Sequence, residues 1–329
     1  MNYPESPKIL EEIKRAKKIL VNCHRSPDPD SVGSALAMRR VLIDMGKSVE
    51  VVCPDSISPD SKFMNSSEKV QRIDYDKFDF SEYDLLLLLD SSVWSQVAGF
   101  GKEKVPDIKK IVIDHHYTNK GFGSINIVDS ERSSTAEVLY KLFADWDVKL
   151  SQEVAEDLLA GLIYDTSSLQ HSSADMETAK TMTNLMELGA DKDKIIFNFY
   201  RNISFDKIKL IGEILKNLQI DKEYRFVWSA IPHETYTLYP DSMGVKSMAA
   251  NFYASSIENT DFGIIMIEEK KDFLNISLRA KMGSDISKIA EALGGGGHKQ
   301  AGAAIIRNIS FNEAVEKVLA AARKYAKKD

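Results

Sequence analysis

Residues 19–34 read Ile19-Leu20-Val21-Asn22-Cys23-His24-Arg25-Ser26-Pro27-Asp28-Pro29-Asp30-Ser31-Val32-Gly33-Ser34. The front of this stretch, Ile19 to Asn22, is a short apolar run of the kind that a strand covered on both faces requires. A loop stiffened by Pro27 and Pro29 follows, and a helix is expected from about Ser31 to Met45. One His and two Asp therefore lie between a strand and a helix. Open parallel sheets hold their ligands at the carboxyl ends of strands. In an extended loop Asp28 and Asp30 project in opposed directions, which suits two separate cations better than one. Gly33 is expected to let the backbone approach a ligand near the helix N-terminus.

The pattern recurs outward from this stretch. Val49 to Cys53, Leu85 to Leu89 and Ile111 to Ile113 are further short runs of Val, Ile and Leu, and the intervening helical sequence completes βαβ units. The Leu85 run ends in Asp90 and the Ile111 run in Asp114-His115-His116. Helical sequence from Ser133 to about Leu188 contains Ile163-Tyr164-Asp165-Thr166, an apolar stretch that again ends in Asp. A single Asp after a strand is commonly a turn or a helix cap. Four acidic or His-bearing motifs at successive junctions are not explained that way, and they point to one rim of one sheet. Buried carboxylates at that rim are costly unless something positive meets them. A mixed Asp/His set suits Mn²⁺ or another borderline-to-hard divalent ion, because carboxylates supply charge and imidazoles add selectivity over Mg²⁺ and Ca²⁺. Two such ions about 4 Å apart can activate a hydroxide and neutralise a phosphate's developing charge.

The texture changes in the second half. Arg225 to Ile231, Phe262 to Glu268 and Phe273 to Ala280 read as strands, with a turn at Lys270-Lys271-Asp272 and a helix near Val245 to Ser256. A helix from Ile286 to Leu293, the run Gly294 to Gly297, a strand after Ala301 and a C-terminal helix follow. The expected organisation is α/β. A mostly parallel sheet with helices on both faces occupies residues 1–190, a helical linker 191–221, and a smaller α/β domain 222–329. Gly295, Gly296, Gly297 and His298, with Arg279 at the end of a preceding strand, are candidates for phosphate binding. Glycines expose backbone N–H donors, and Arg offers a planar fork.

Bulk properties narrow the function. With 329 residues and 43% hydrophobic content the chain can bury a sizeable core, and its length favours two domains. Net charge is −6, which argues against a protein that tracks along long nucleic acid. The charge is uneven: residues 222–329 hold 15 Lys+Arg and 13 Asp+Glu, the rest 28 and 36. No apolar run is long enough for a membrane helix. Cys23 and Cys53 read as buried thiols of a reducing cytoplasm, and the first twelve residues lack an apolar signal core. Other residues attract notice and read as structural: His171, His233, the linker aromatics Phe197, Phe199 and Tyr200, and Ser133-Ser134, which resembles a helix N-cap. Arg25 and Arg132 can touch phosphate, as can many surface arginines.

These motifs resemble those of the DHH phosphoesterase family, named for the Asp-His-His found here as Asp114-His115-His116. The family's His-x-x-Pro-Asp-x-Asp-x-x-Gly-Ser is matched by His24, Pro27, Asp28, Asp30, Gly33 and Ser34. The likeness covers nearly the whole chain and is greatest to the short NrnA-type branch of nanoRNases and pAp phosphatases, whose substrate domain carries Gly-Gly-Gly-His and an Arg on a preceding strand. The resemblance implies His24, Asp28 and Asp90 on one metal. It implies Asp30, bridging Asp90, His115 and Asp165 on the other, with His116 beside the scissile phosphate. It further implies two divalent ions, Mn²⁺ in the first place, acting on short single-stranded RNA or DNA oligonucleotides or on mononucleotides. Long duplexes and membranes are not expected partners, and a homodimer is compatible. Cyclic or linear dinucleotides are the alternative substrates. The rival of another class is a catalytically silent nucleotide sensor, which would be expected to have lost a ligand; none is missing.

Overall fold

In the computed structural model, which describes residues 1–99, 101, 104–171, 173–281, 283–297 and 299–326, the chain divides into two units, Met1–Asn202 and Ile203–Asp329. The first holds strands β1 (Lys18–Asn22), β2 (Ser48–Cys53), β3 (Val70–Arg72), β4 (Leu85–Leu89), β5 (Lys110–Asp114) and β6 (Ile125–Val128). Its helices are α1 (Ser6–Arg15), α2 (Pro29–Asp44), α3 (Trp94–Ala98), α4 (Thr135–Asp145), α5 (Gln152–Asp165), α6 (Met176–Glu187) and α7 (Lys192–Ile196). The strands form one parallel sheet in the order β3-β2-β1-β4-β5-β6. The short strands β3 and β6 were not legible in the sequence.

The five leucines of β4 show why the strand forms here. All five are buried, and they alternate between two cores. Leu85, Leu87 and Leu89 pack with residues of α2, α4 and α5, whereas Leu86 and Leu88 pack with Tyr75, Tyr83 and Val97. Each such burial stabilises the fold by roughly 1.5–3 kcal/mol. The strand order reverses between β1 and β4, and the crevice outside that reversal is where ligands bind in doubly wound sheets.

Two glycines set the helix layer that completes this crevice. A Cβ added to Gly33 of α2 would lie 2.4 Å from the Asp157 carbonyl oxygen of α5, and one added to Gly161 of α5 would lie 2.5 Å from Oδ1 of Asp30. The expected role of Gly33 at a ligand is therefore replaced by one at a helix crossing. Asp157, Gly161 and Asp165 recur every fourth residue and share one face of α5. The close crossing thus delivers Asp165 to the start of α2.

The second unit contains α8 (Phe205–Lys216), β7 (Gln219–Asp221), β8 (Phe226–Ile231), α9 (His233–Tyr236), α10 (Val245–Ala249), β9 (Phe262–Lys270), β10 (Phe273–Ala280), α11 (Ser287–Ala292), β11 (Gly296–Gly297), β12 (Ala301–Arg307) and α12 (Phe311–Tyr325). Its sheet runs β11-β12-β10-β9-β8-β7, antiparallel except for β8 with β9. The segment expected as a linker, 191–221, is divided between the units. Ile195, Ile196, Phe199 and Tyr200 pack into the first core, and Leu210, Ile211 and Ile214 of α8 pack into the second. Its apolar faces are claimed by the two cores, so the boundary falls at Asn202/Ile203. Replacing Gly33 with Ala is expected to lower stability by about 1–3 kcal/mol through overpacking against backbone, measured as a shifted urea midpoint; an unshifted midpoint would contradict the close crossing.

Candidate metal centre

Three adjacent parallel strands bring the first groups together. His24 follows β1, Asp90 follows β4, and Asp114 ends β5 with His115 and His116 beyond it. Asp90 takes a left-handed backbone, φ 54°, a conformation that costs a non-glycine residue energy and is tolerated where surrounding structure fixes it. Helices supply the rest. Asp28 is the N-cap of α2 and accepts from the Ser31 amide at 3.0 Å, while Asp30 lies in the first turn of the same helix. The helix thus begins two residues earlier than expected, and Asp30 is not in an extended loop. Asp165 is the last residue of α5 rather than of a strand.

The side chains converge. His24 Nε2 lies 3.3 Å from Asp90 Oδ2 and 3.7 Å from Asp28 Oδ1. His115 Nε2 lies 3.3 Å from Asp165 Oδ2 and 3.6 Å from Asp90 Oδ1. Three sets offer ligand atoms within 4.8 Å of one another: His24, Asp28 and Asp90; Asp30, His115 and Asp165; and Asp90, His115 and His116. Asp90 belongs to two of these sets and lies 3.6 Å from His115 of the third, and it is 2% exposed.

A second layer orients these groups. The N-terminus of α4 donates the amides of Thr135 and Ala136 to the two oxygens of Asp30, at 2.8 and 3.0 Å, and the Thr135 hydroxyl donates to Asp90 Oδ1 at 2.9 Å. His116 Nδ1–H donates to Asp114 Oδ1 at 2.7 Å, and Asn119 Nδ2 donates to the other oxygen of Asp114 at 2.7 Å and to the Ser91 carbonyl at 3.0 Å. His24 Nδ1 and His115 Nδ1 meet the carbonyls of Arg25 and Arg132, at 2.8 and 3.4 Å. Hydrogen bonds of this kind fix a ring's tautomer and leave the far nitrogen for a ligand.

The electrostatics fit a cation site. Burial first, then the charges of neighbouring carboxylates, push Asp30 and Asp165 well above the usual carboxylate range. Burial acts against Asp28 as well, but His24 outweighs it and holds Asp28 at about 2. Burial and the neighbouring His116 push His115 down, toward the neutral form that binds metal. Among these acids Asp30 is fully buried and Asp90 nearly so. Such groups share one space in ionised form only if positive charge is placed among them. The donor set of carboxylate oxygens and imidazole nitrogens suits divalent ions, and these residues can form a metal site.

The family model described as "DHH family, N-terminal domain" matches residues 18–162, and the "DHHA1 domain" model matches residues 241–328, together well over half of the chain. The chain belongs to the DHH family. This DHH chain is 24% identical over 326 residues to a protein of Thermus thermophilus named bifunctional oligoribonuclease and PAP phosphatase NrnA, with 98% of the chain and 94% of the relative covered. It is 25% identical over 338 residues to the cyclic-di-AMP phosphodiesterase PdeA of Listeria monocytogenes, covering 98% of the chain and 50% of that relative. Among solved structures, an exopolyphosphatase-related protein from Bacteroides fragilis superposes with a TM-score of 0.87 at 27% identity, covering 98% of this chain and 96% of the other.

In this DHH fold the seven residues read from the first-half motifs, His24, Asp28, Asp30, Asp90, His115, His116 and Asp165, lie in one cluster. The second-half residues lie in the second unit. Arg279 is paired with Ala301 and hydrogen-bonded to Asn251, and Gly296 and Gly297 form β11 against Ala303 and Gly302. A Cβ at Gly295 or Gly297 would strike the backbone of β12, whereas one at Gly296 would meet nothing within 4 Å. Close strand pairing therefore accounts for two of these glycines. His298 lies outside the described residues. Ser134 is the N-cap of α4, accepting from the Glu137 amide.

Thr135, Asn119 and Glu137 were not singled out in the sequence. Fully buried Glu137 accepts from the Ser133 amide and hydroxyl at 3.0 and 2.9 Å, and from Arg132 Nη1 at 3.2 Å. This fixes the loop whose Arg132 carbonyl meets His115. The Ser134-x-x-Glu137 spacing fits a helix start, but it carries no sign that the Glu side chain turns to Ser133 and Arg132. Replacing Glu137 with Ala leaves the buried Ser133 donors unsatisfied and leaves Arg132 only Asp129 and Asp175, at 3.7 and 3.9 Å, and is expected to cost about 1–3 kcal/mol, read from chemical denaturation; no measurable loss would show that the network is dispensable.

Proposed function

We propose that this DHH phosphoesterase binds two divalent ions, most simply Mn²⁺, and hydrolyses short oligoribonucleotides and 3′-phosphoadenosine 5′-phosphate. The observation that carries the reading is the proximity of Asp90 both to the His24/Asp28 set and to the Asp30/His115/Asp165 set. His24, Asp28 and Asp90 would hold one ion, and Asp30, Asp90, His115 and Asp165 the other. Ions so placed supply Lewis-acid stabilisation at phosphorus and make water a competent nucleophile at neutral pH. The similarity to the Thermus protein supports the substrate class.

The chain's own groups divide the remaining work. Burial lowers the pKa of His116, but its bond to Asp114 together with the charges of Asp90, Asp114 and Asp28 outweighs this and raises it to about 9. His116 is thereby suited to carry a proton at neutral pH, with Nδ1 committed to Asp114 and Nε2 the nitrogen that would serve a leaving oxygen. Thr135 keeps Asp90 in one orientation. In the second unit Arg279, and by its motif His298, would bind a substrate phosphate. Linear or cyclic dinucleotides are a second substrate reading, favoured by the similarity to the Listeria phosphodiesterase. No helix among the described residues is long and apolar enough to cross a membrane, and with two buried free thiols the cytoplasm is the compartment we assign.

Replacing Asp90 with Ala is expected to abolish turnover with Mn²⁺ while the fold persists by circular dichroism; wild-type turnover would remove the two-ion reading. Replacing Thr135 with Val should weaken Mn²⁺ binding about tenfold by calorimetry, and unchanged affinity would exclude its role. Mass spectrometry of products from di- to hexanucleotides, 3′-phosphoadenosine 5′-phosphate and cyclic dinucleotides separates the substrate readings, and exclusive cleavage of cyclic dinucleotides would overturn the first. An Arg279→Ala change should raise KM more than it lowers kcat; unchanged KM on short oligonucleotides would refute its contact with substrate.

A further inference from the structure

Ser167, Ser168 and Leu169 hold a left-handed backbone in succession, at φ 46°, 58° and 69°, with no glycine among them. They begin straight after Thr166, the C-cap of α5, and so just beyond Asp165. Each such conformation is costly for a residue with a Cβ. It persists only where neighbouring structure over-determines it, and such residues gather at active sites and ligand clamps.

The hydrogen bonds of this turn show what braces it. The last four carbonyls of a helix lack partners inside it, and at the end of α5 each is met from the turn. The Leu162 carbonyl accepts from the Thr166 amide at 3.2 Å, the Ile163 carbonyl from the Ser168 amide at 2.9 Å, and the Tyr164 carbonyl from the Ser167 amide at 3.0 Å. The Asp165 carbonyl is met by a side chain instead, His171 Nδ1 at 2.7 Å. A carbonyl only accepts, so Nδ1–H is the donor. The other ring nitrogen, Nε2, meets the Ser167 hydroxyl at 3.0 Å. One imidazole thus ties the peptide group of Asp165 to the first left-handed residue. A second brace stands beside it: the Ser168 hydroxyl donates to the Tyr200 hydroxyl at 3.2 Å, and Tyr200 packs on the first core.

Asp165 is the group that needs such braces. It belongs to the Asp30/His115/Asp165 set and not to the His24/Asp28/Asp90 set, with Oδ2 3.3 Å from His115 Nε2. It is also the last residue of its helix, and helix ends fray. Amides of α4 hold the carboxylate of Asp30, and the Thr135 hydroxyl holds that of Asp90. Asp165 is held from its own backbone, through the turn that follows it.

We propose that His171 is a positioning residue for one ion of the pair: through the Asp165 carbonyl and the left-handed turn it fixes the direction of the Asp165 carboxylate, and so the affinity of the Asp30/His115/Asp165 site. The inference rests on the two-ion reading and deepens it. His171 itself is exposed, so replacing it opens no cavity in the core. Its loss is felt at one site and spares the other, to which Asp165 does not belong.

The test uses the full-length chain with His171→Ala, His171→Phe and His171→Gln. Calorimetry with Mn²⁺ alone resolves the two sites. The Ala and Phe variants are expected to weaken one site about tenfold and to leave the other unchanged. Gln carries both a donor and an acceptor and should recover most of the loss, whereas Phe keeps the ring without its nitrogens. Amide hydrogen exchange without metal should show Ser167 and Ser168 losing protection in the Ala and Phe variants while the β4 amides keep theirs. Equal weakening of both sites, wild-type affinity in the Ala variant, unchanged exchange in the turn, or a loss with Gln as large as with Ala would overturn the role. A wild-type chain that binds a single ion removes the two-ion reading and this role with it. Two wild-type sites that both ignore His171 remove the role alone.

Discussion

Negative charge at the reversal of the parallel sheet is the constraint on which the first unit depends. Asp30, Asp90 and Asp165 come from two helices and a strand end, and beyond the effect of burial the charge of Asp90 raises the cost of ionising both Asp30 and Asp165. Protein groups meet part of this charge. Backbone amides of α4 meet Asp30, His24 meets Asp28 and Asp90, and the Thr135 hydroxyl meets Asp90. The remainder calls for cations, and the spacing of the three ligand-competent sets is compatible with them.

Rigidity is placed where this arrangement needs it. Gly33 and Gly161 let α2 and α5 cross with almost no space between them, and that crossing sets the separation of Asp30 and Asp165. Buried Glu137 fixes the loop that bears the Arg132 carbonyl, and Asn119 fixes Asp114, which in turn fixes His116. Asp30, Asp90 and His116 are thus each oriented by a buried partner behind them, as precise catalytic geometry demands.

Much of this was legible in the sequence, for a physical reason. Strands covered on both faces read as unbroken Val, Ile and Leu, so Leu85 to Leu89 announced itself and the acid just beyond it was conspicuous. The edge strands are short, Val70–Arg72 largely exposed and Ile125–Val128 buried at alternate residues, and both passed unread. The place of Asp165 at a helix end, and the meaning of Gly33, depend on a crossing between segments more than a hundred residues apart, which no local pattern encodes. Thr135 was likewise silent, because it resembles any residue after a helix cap. The 191–221 segment read as a linker because its amphipathic helices carry no mark of which core will claim them.

Asp30 has both oxygens already bonded to amides at the start of α4. One of the most buried acids in the crevice is therefore anchored by polypeptide before any ion arrives. In small zinc domains, by contrast, the metal supplies the folding energy itself. Here the polypeptide itself sets the orientation of Asp30, so exchange of one divalent ion for another would leave that orientation in place.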